Sequence, residues 1–139
     1  MNRKAKGSNA ERELVKMFWD SGWAAIRVAG SGSARFPNPD VLAGNKIRRV
    51  AVECKTVHDA KKYLSEADIS QIREFSEKFG AEPWIAVRFD SQQWYFLGLE
   101  ELESTKDKNF VVSLELARHS GLLFSEFIGN FSEKSRGKE

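Results

Sequence analysis

The chain has 139 residues with 41% hydrophobic side chains, which suits one domain burying roughly two-thirds of its unfolded surface and leaves little chain for a second. The lone Cys54 has no partner for an internal disulfide, no run approaches an apolar membrane span, and the basic start 1–7 lacks the apolar stretch of a secretory signal. We therefore expect a cytoplasmic protein without membrane association. The net charge of +2 hides an imbalance: residues 1–62 carry 13 Lys/Arg against 6 Asp/Glu, the remainder 9 against 14. A basic half fits a polyanion such as nucleic acid and equally fits an ordinary solvated surface.

Ser8-Asn9-Ala10-Glu11 has the form of a capping box, and Ala10, Leu14, Val15, Phe18 and Trp19 follow on one helical face, predicting a helix over about 9–21. Gly22 suits its end, and residues 23–28 then alternate as a strand. Residues 29–34, small and glycine-bearing, read as a loop that moves until a ligand holds it. Pro37 and Pro39 keep 35–39 out of a central ladder and precede the short apolar run 40–43, a buried strand. Gly44-Asn45 makes a turn into a strand over 47–56, where Val50, Val52 and Cys54 point to a packed face and Arg49, Ala51, Glu53 and Lys55 to a charged one.

After a polar connection, Ile69, Ile72, Phe75 and Phe79 mark an amphipathic helix that Gly80 terminates. Residues 84–89 and 94–97 form a hairpin, a short extended piece lies near 110–112, and a helix is expected over about 120–128. The expected organisation is one domain over 1–131 and a frayed tail over 132–139. Helix, three strands, helix, two strands, helix is the order of an α/β fold with a mixed central sheet flanked by helices.

The chemistry concentrates in Pro39-Asp40 and, thirteen positions on, Glu53-Cys54-Lys55. Glu53 and Lys55, two apart on a strand, project from one face roughly 6.5 to 7 Å apart. If strands 40–43 and 47–56 pair through Gly44-Asn45, Asp40 comes close to Glu53. Two adjacent carboxylates repel unless a proton or cation lies between them, and their hard oxygens suit Mg2+ or Mn2+. Such an ion lowers the pKa of water and offsets charge on a phosphate under attack, while the Lys55 ammonium orients the nucleophile. The main-chain carbonyl of Cys54 is a further oxygen donor, and the thiol has no required role. Spacing alone is weak support, since Glu and Lys at i and i+2 are common on solvated sheet faces and Asp after Pro commonly starts a turn.

In order along the chain, Arg3-Lys4-Ala5-Lys6-Gly7, Glu11-Arg12-Glu13-Leu14-Val15, Gly22-Trp23, Arg27-Val28, Gly30-Ser31, Pro39-Asp40 and Val52-Glu53-Cys54-Lys55 resemble the archaeal Holliday junction resolvases of the restriction-endonuclease-like superfamily. The likeness continues through Ile72-Arg73-Glu74-Phe75, Phe79-Gly80 and Pro83-Trp84-Ile85-Ala86-Val87-Arg88-Phe89 and is weakest in the C-terminal third. It implies a homodimer that cuts opposing strands of four-way junction DNA with Mg2+ at each site and no organic cofactor. By the same likeness Asp40, Glu53 and Glu11 ligate metal, Lys55 assists hydrolysis, and Ser31 reaches the site from its loop. Arg12 and Arg27 lie near phosphates, and Phe75 and Phe79 belong to the dimer-forming helix region. Residues 33–38 have the character of an insertion before Pro39-Asp40.

Other readings stand beside these. Glu11 taken alone is better explained as the capping partner of Ser8, and the resemblance is what favours catalysis. Phe75 and Phe79 fit a core as well as an interface. Gln71 reads as an exposed helical residue, His58 and His119 as surface residues without ligand spacing, and the four tryptophans as packing residues. Arg3, Lys4, Lys6 and Arg35, with Lys46, Arg48 and Arg49, are expected to grip DNA backbone without reading bases. Two other functions fit the pattern: a repair or restriction-type nuclease, and a non-catalytic DNA-binding protein whose carboxylates form surface ion pairs.

Overall fold

Ala10, Leu14 and Phe18 lie four residues apart and all three are buried, so the helix that carries them lays one stripe on the protein's core. This helix, α1, spans Arg3–Asp20 in the computed structural model, which describes residues 3–30, 35–90 and 92–129, with side chains from residue 7 onward. It starts well before the predicted cap, because Arg3, Lys4, Ala5 and Lys6 are strong helix formers. Ser8 and Glu11 therefore sit inside the helix, and the expected capping box does not exist. After Asp20 the chain turns through Gly22, whose φ of 87° is the left-handed conformation glycine adopts without strain.

The strands β1 (Ala24–Arg27), β2 (Val41–Gly44) and β3 (Arg49–Val57) form an antiparallel meander, with Val41 opposite Val52 and Gly44 opposite Arg49. Asn45 closes the β2–β3 turn, its Oδ1 accepting the N–H groups of Ile47 and Arg48 at 2.8 Å. The chain then makes β4 (Lys61–Leu64), crosses through α2 (Glu66–Phe79) and returns as β5 (Glu82–Phe89), parallel to β3. A capping box between Ser65 and Asp68 starts α2, and Gly80 at φ 85° ends it. The predicted hairpin is present as β5 and the antiparallel β6 (Tyr95–Gly98).

A 3-10 turn, Leu99–Glu101, leads to β7 (Glu103–Ser104), β8 (Phe110–Ser113), α3 (Leu114–Ser120), β9 (Leu122–Leu123) and α4 (Phe124–Phe127). The single helix expected over 120–128 is thus divided. At Gly121 a Cβ would meet the Ala117 carbonyl oxygen at 2.5 Å, a close approach that only glycine allows, and Leu122 and Leu123 pair with the edge of β6. In the second sheet, β4-β8-β7, the extended piece expected near 110–112 is β8, whereas β4 and β7 were not foreseen because they are short, polar and distant in the chain from their partner or from each other.

The main sheet runs β1-β2-β3-β5-β6-β9, the mixed sheet with flanking helices that the element order predicted. On one face Val50, Val52 and Ala86 meet α1 and the aromatics Phe96 and Phe127, stacked at 4.1 Å. On the other, Ala51, Ile85 and Val87 meet Ile69 and Ile72 of α2. Central strand β3 is consequently covered on both sides, and its charged face is not solvated: Ala51 is fully buried and the Glu53 and Lys55 side chains are only 19% and 22% exposed. Among the described residues no helix is long and apolar enough to cross a membrane.

Candidate active site

Extending the β2–β3 register by one residue places Asp40 directly opposite Glu53, on the sheet face that also carries Lys55. The Asp40 N–H donates to the Val52 carbonyl at 3.0 Å, and its Oδ2 accepts the Cys54 N–H at 2.8 Å. The carboxylate is thereby aimed along the edge of β3 and buried to 8% exposure. Lys55 Nζ stands 3.4 Å from Glu53 Oε2. From the opposite face of the sheet α1 contributes Glu11, whose Oε1 accepts from Arg27 Nη1 at 3.3 Å.

The Asp40 charge acts on both glutamates. Burial, then the neighbouring Asp40 charge, push Glu53 up to about 7 despite Lys55. The same two causes raise Glu11, opposed by the hydrogen bond and charge of Arg27 and by Arg12. Burial pushes the Cys54 thiol far up, so the sulfur is an inert packing group, consistent with its dispensable role. A pocket that forces acids to hold protons favours a cation in their place.

The donor set fits a hard divalent ion. Among the described residues no three His, Cys, Asp or Glu side chains make a complete cage. A Mg2+-type site needs none, since one or two carboxylates suffice when waters and substrate phosphate complete the shell. Asp40 and Glu53 are the adjacent pair that could supply them. A residue's N–H and C=O leave a strand by the same edge, so the Cys54 carbonyl points to the side where its N–H meets Asp40.

The other predicted site residues divide. Arg27 reaches the cluster through Glu11; Arg12 is exposed one turn along, its Nη1 3.3 Å from Asn9 Oδ1. Arg35 is exposed with its guanidinium over the Phe36 ring. Ser31, the side chains of Arg3, Lys4 and Lys6, and residues 132–139 lie outside what is described. Phe75 and Phe79 stack at 5.2 Å, and Phe79 remains 48% exposed.

Two residues expected to contact DNA have partners within the protein, Arg48 half-buried and Arg49 exposed. Arg48 donates through Nε and Nη2 to both Glu82 oxygens at 2.9 Å and through Nη1 to the Phe127 carbonyl at 2.6 Å, while lying over the Trp23 and Phe127 rings. Arg49 Nε donates to the carbonyl of Gly80 at the end of α2. Trp19, expected to pack, is 58% exposed, its indole N–H held by the Ala25 carbonyl. Gln71, His58 and His119 are exposed as read. No role was expected for Arg88, which pairs with Glu13, or for the lysines of β4; the adjacent pair Lys61-Lys62 soon after Lys55 was the available signal.

A mixed sheet whose central strand presents Glu53 and Lys55 beside an aspartate from the adjoining strand defines the restriction-endonuclease-like class. Residues 2–136 match the family model described as archaeal Holliday junction resolvase, and the chain belongs to that family. It is 39% identical over 133 residues to crossover junction endodeoxyribonuclease Hjc of Archaeoglobus fulgidus, covering 91% of this chain and 97% of the relative. The Methanocaldococcus jannaschii enzyme of the same name is 36% identical over 134 residues, with 96% of this chain and 90% of the relative covered. The 1.6 Å structure of A. fulgidus Hjc, a Holliday junction resolvase, superposes with a TM-score of 0.81 at 38% identity, over 88% of this chain and 98% of the other.

Proposed function

We propose that this chain is a divalent-metal-dependent endonuclease that resolves four-way DNA junctions by paired hydrolysis in opposing strands. The observation that carries the reading is the pairing of Asp40 with Glu53 across β2 and β3, with the Lys55 ammonium 3.4 Å from Glu53. Family membership and the relatives' names support the substrate.

Asp40, Glu53 and the Cys54 carbonyl hold the ion, which is Mg2+, with Mn2+ able to substitute; Glu11 completes the acidic cluster. When bound, it supplies Lewis acidity toward the phosphate and a lowered pKa for water. The Lys55 ammonium orients the attacking water and stabilises the charge that grows on the phosphate oxygens. Arg27, anchored by Glu11, and Arg12 offer positive charge to the flanking backbone.

Paired cuts follow from a twofold dimer, because a junction itself has near-twofold symmetry. Phe79, Ile26 and Phe36 are exposed to 48%, 58% and 71% on the α2 side of the sheet, and shallow apolar grooves join Phe36 to Phe75 and Phe79, and Phe79 to Ile26 and Leu42. A second copy covering this patch hides three exposed large apolar side chains of the described residues. The protein acts in the cytoplasm, where chromosomal DNA is found.

The deciding experiment compares a mobile four-way junction with a flap and a linear duplex, each with Mg2+ and with chelator. We expect symmetric nicks in the junction that require the cation. Equal cutting of a duplex of one particular sequence sinks the resolvase reading, and loss of all cutting sinks the nuclease reading.

A further inference from the structure

Beyond Lys55, β3 continues through Thr56 and Val57 to His58, and a groove of about 360 Å3 follows it, lined by Cys54, Lys55, Thr56, His58, Lys61 and Lys62 among others. The groove opens at the residue we place at the scissile phosphate and leads away from it. Among the described residues Asp59 is the one carboxylate lining it, set against three lysines. The next acid, Asp90, is bound to His58, whose Nδ1 lies 3.1 Å from its Oδ1.

The two lysines of β4 differ from the six described cations that are paired. Lys16, Arg27, Arg48, Lys55, Lys78 and Arg88 each face a carboxylate. Among the described residues Lys61 and Lys62 face none, and Lys61 is exposed. They are also held firmly. Lys61 is registered against Ser113 and Lys62 against Val112, the Ala60 carbonyl accepts from the Leu114 N–H at 2.8 Å, and Leu64 of the same strand is buried. Cations fixed on a paired strand bind a phosphate at lower ordering cost than cations on a loop.

Scale decides what fits. Three residues of strand from Lys55 to His58 span roughly 10 Å, and a DNA strand carries a phosphate about every 3.4 Å of helix axis. The groove therefore extends past one phosphate and is long enough to follow the strand to the next.

We propose that this groove seats the backbone phosphate adjoining the scissile one on the cut strand, gripped by Lys61 and Lys62, and so sets which phosphodiester lies over Asp40 and Glu53. The inference rests on the nuclease reading above. It adds a subsite that recognises backbone charge and no base.

The test uses the full-length chain with Lys61→Gln/Lys62→Gln. As a control of equal charge loss, Lys106→Gln/Lys108→Gln alters exposed residues of the β7–β8 turn. Junction binding is measured in the cleavage-blocked Asp40→Asn background over a salt series. The groove variant is expected to bind about tenfold more weakly at low salt and to lower the slope of log Kd against log salt by about one per active site, as loss of one phosphate contact requires, while the control keeps the parent slope.

Junctions with one neutral methylphosphonate at each phosphate flanking the cut then locate the contact. At one flanking position the substitution weakens binding by the parent and not by the groove variant. In the chain that retains Asp40, the groove variant shifts or scatters the cut position. An unchanged salt slope, or equal sensitivity of both proteins to every methylphosphonate, overturns the subsite while leaving the nuclease reading intact. A parent chain that neither binds nor cuts the junction overturns both. Unchanged thermal melting of the groove variant separates loss of contact from loss of fold.

Discussion

Asp40 Oδ2 accepts the main-chain N–H of Cys54 at 2.8 Å, tying the carboxylate of one strand to the backbone segment that carries Glu53 and Lys55. One hydrogen bond thus aligns the two halves of the site before any ligand arrives, which is the preorganisation that electrostatic catalysis requires.

Asp40→Asn keeps an acceptor for that N–H and removes one negative charge. Cleavage should vanish while junction affinity stays equal or rises, because less repulsion meets the incoming phosphate. Asp40→Ala should additionally lower stability by about 1–3 kcal/mol by orphaning the Cys54 N–H. Gel-shift and cleavage assays on one synthetic junction, with urea unfolding, separate the two effects. Asp40→Asn protein that still cuts removes this residue from the active site.

The Glu53 carboxyl is raised from 4.5 to about 7 in the folded chain, so between those values the native state binds more protons than the unfolded state. Its contribution to stability is therefore full below about pH 4.5 and lost as pH rises through about 7, a difference of roughly 3 kcal/mol. Glu11, also raised, acts in the same direction. In chelator, Glu53→Gln should flatten that decline and melt at a higher temperature than the parent above pH 7. Adding Mg2+ should stabilise the parent and not the variant. Parallel pH profiles for the two proteins in chelator would contradict the burial argument.

Arg48 joins the β2–β3 turn to β5 and α4 through Glu82 and the Phe127 carbonyl. Arg48→Met should cost about 1–3 kcal/mol in urea unfolding while leaving the salt dependence of junction binding unchanged. The hydrogen bond from Arg48 also holds the Glu82 carboxyl below its ordinary range. Its stabilisation is thus present above about pH 4.5 and fades as pH falls. A reduced salt slope in Arg48→Met would return this residue to the DNA interface.

Phe79 is half-exposed and stacks on Phe75. Phe79→Glu should convert a dimer to a monomer in analytical ultracentrifugation with little change in the unfolding midpoint of the protomer, and should uncouple the paired cuts into single nicks. A dimer that survives this change places the interface elsewhere.

Much of the site was legible before any coordinates because it is local. Asp40, Glu53 and Lys55 sit on two strands joined by the Gly44-Asn45 turn, and strand periodicity with that turn implies their approach. Glu11 shows the opposite case. Its position three residues after Ser8 mimicked a capping box, and only the early start of α1 at Arg3 removed that reading. Arg48 looked like a surface cation because its partners, Glu82 and Phe127, are more than thirty positions away.

The order of α1, β1, β2, β3, α2, β5 and β6 and the turn that brings Asp40 to Glu53 were written in the sequence, since periodicity, caps and short turns act between near neighbours. The tertiary structure alone decided that β3 is covered on both faces, that Glu53 is buried enough to hold its proton near neutrality, and that Lys61 and Lys62 line a groove leading from Lys55. Burial and electrostatic coupling depend on what the rest of the chain packs against a residue, and no local pattern carries that information.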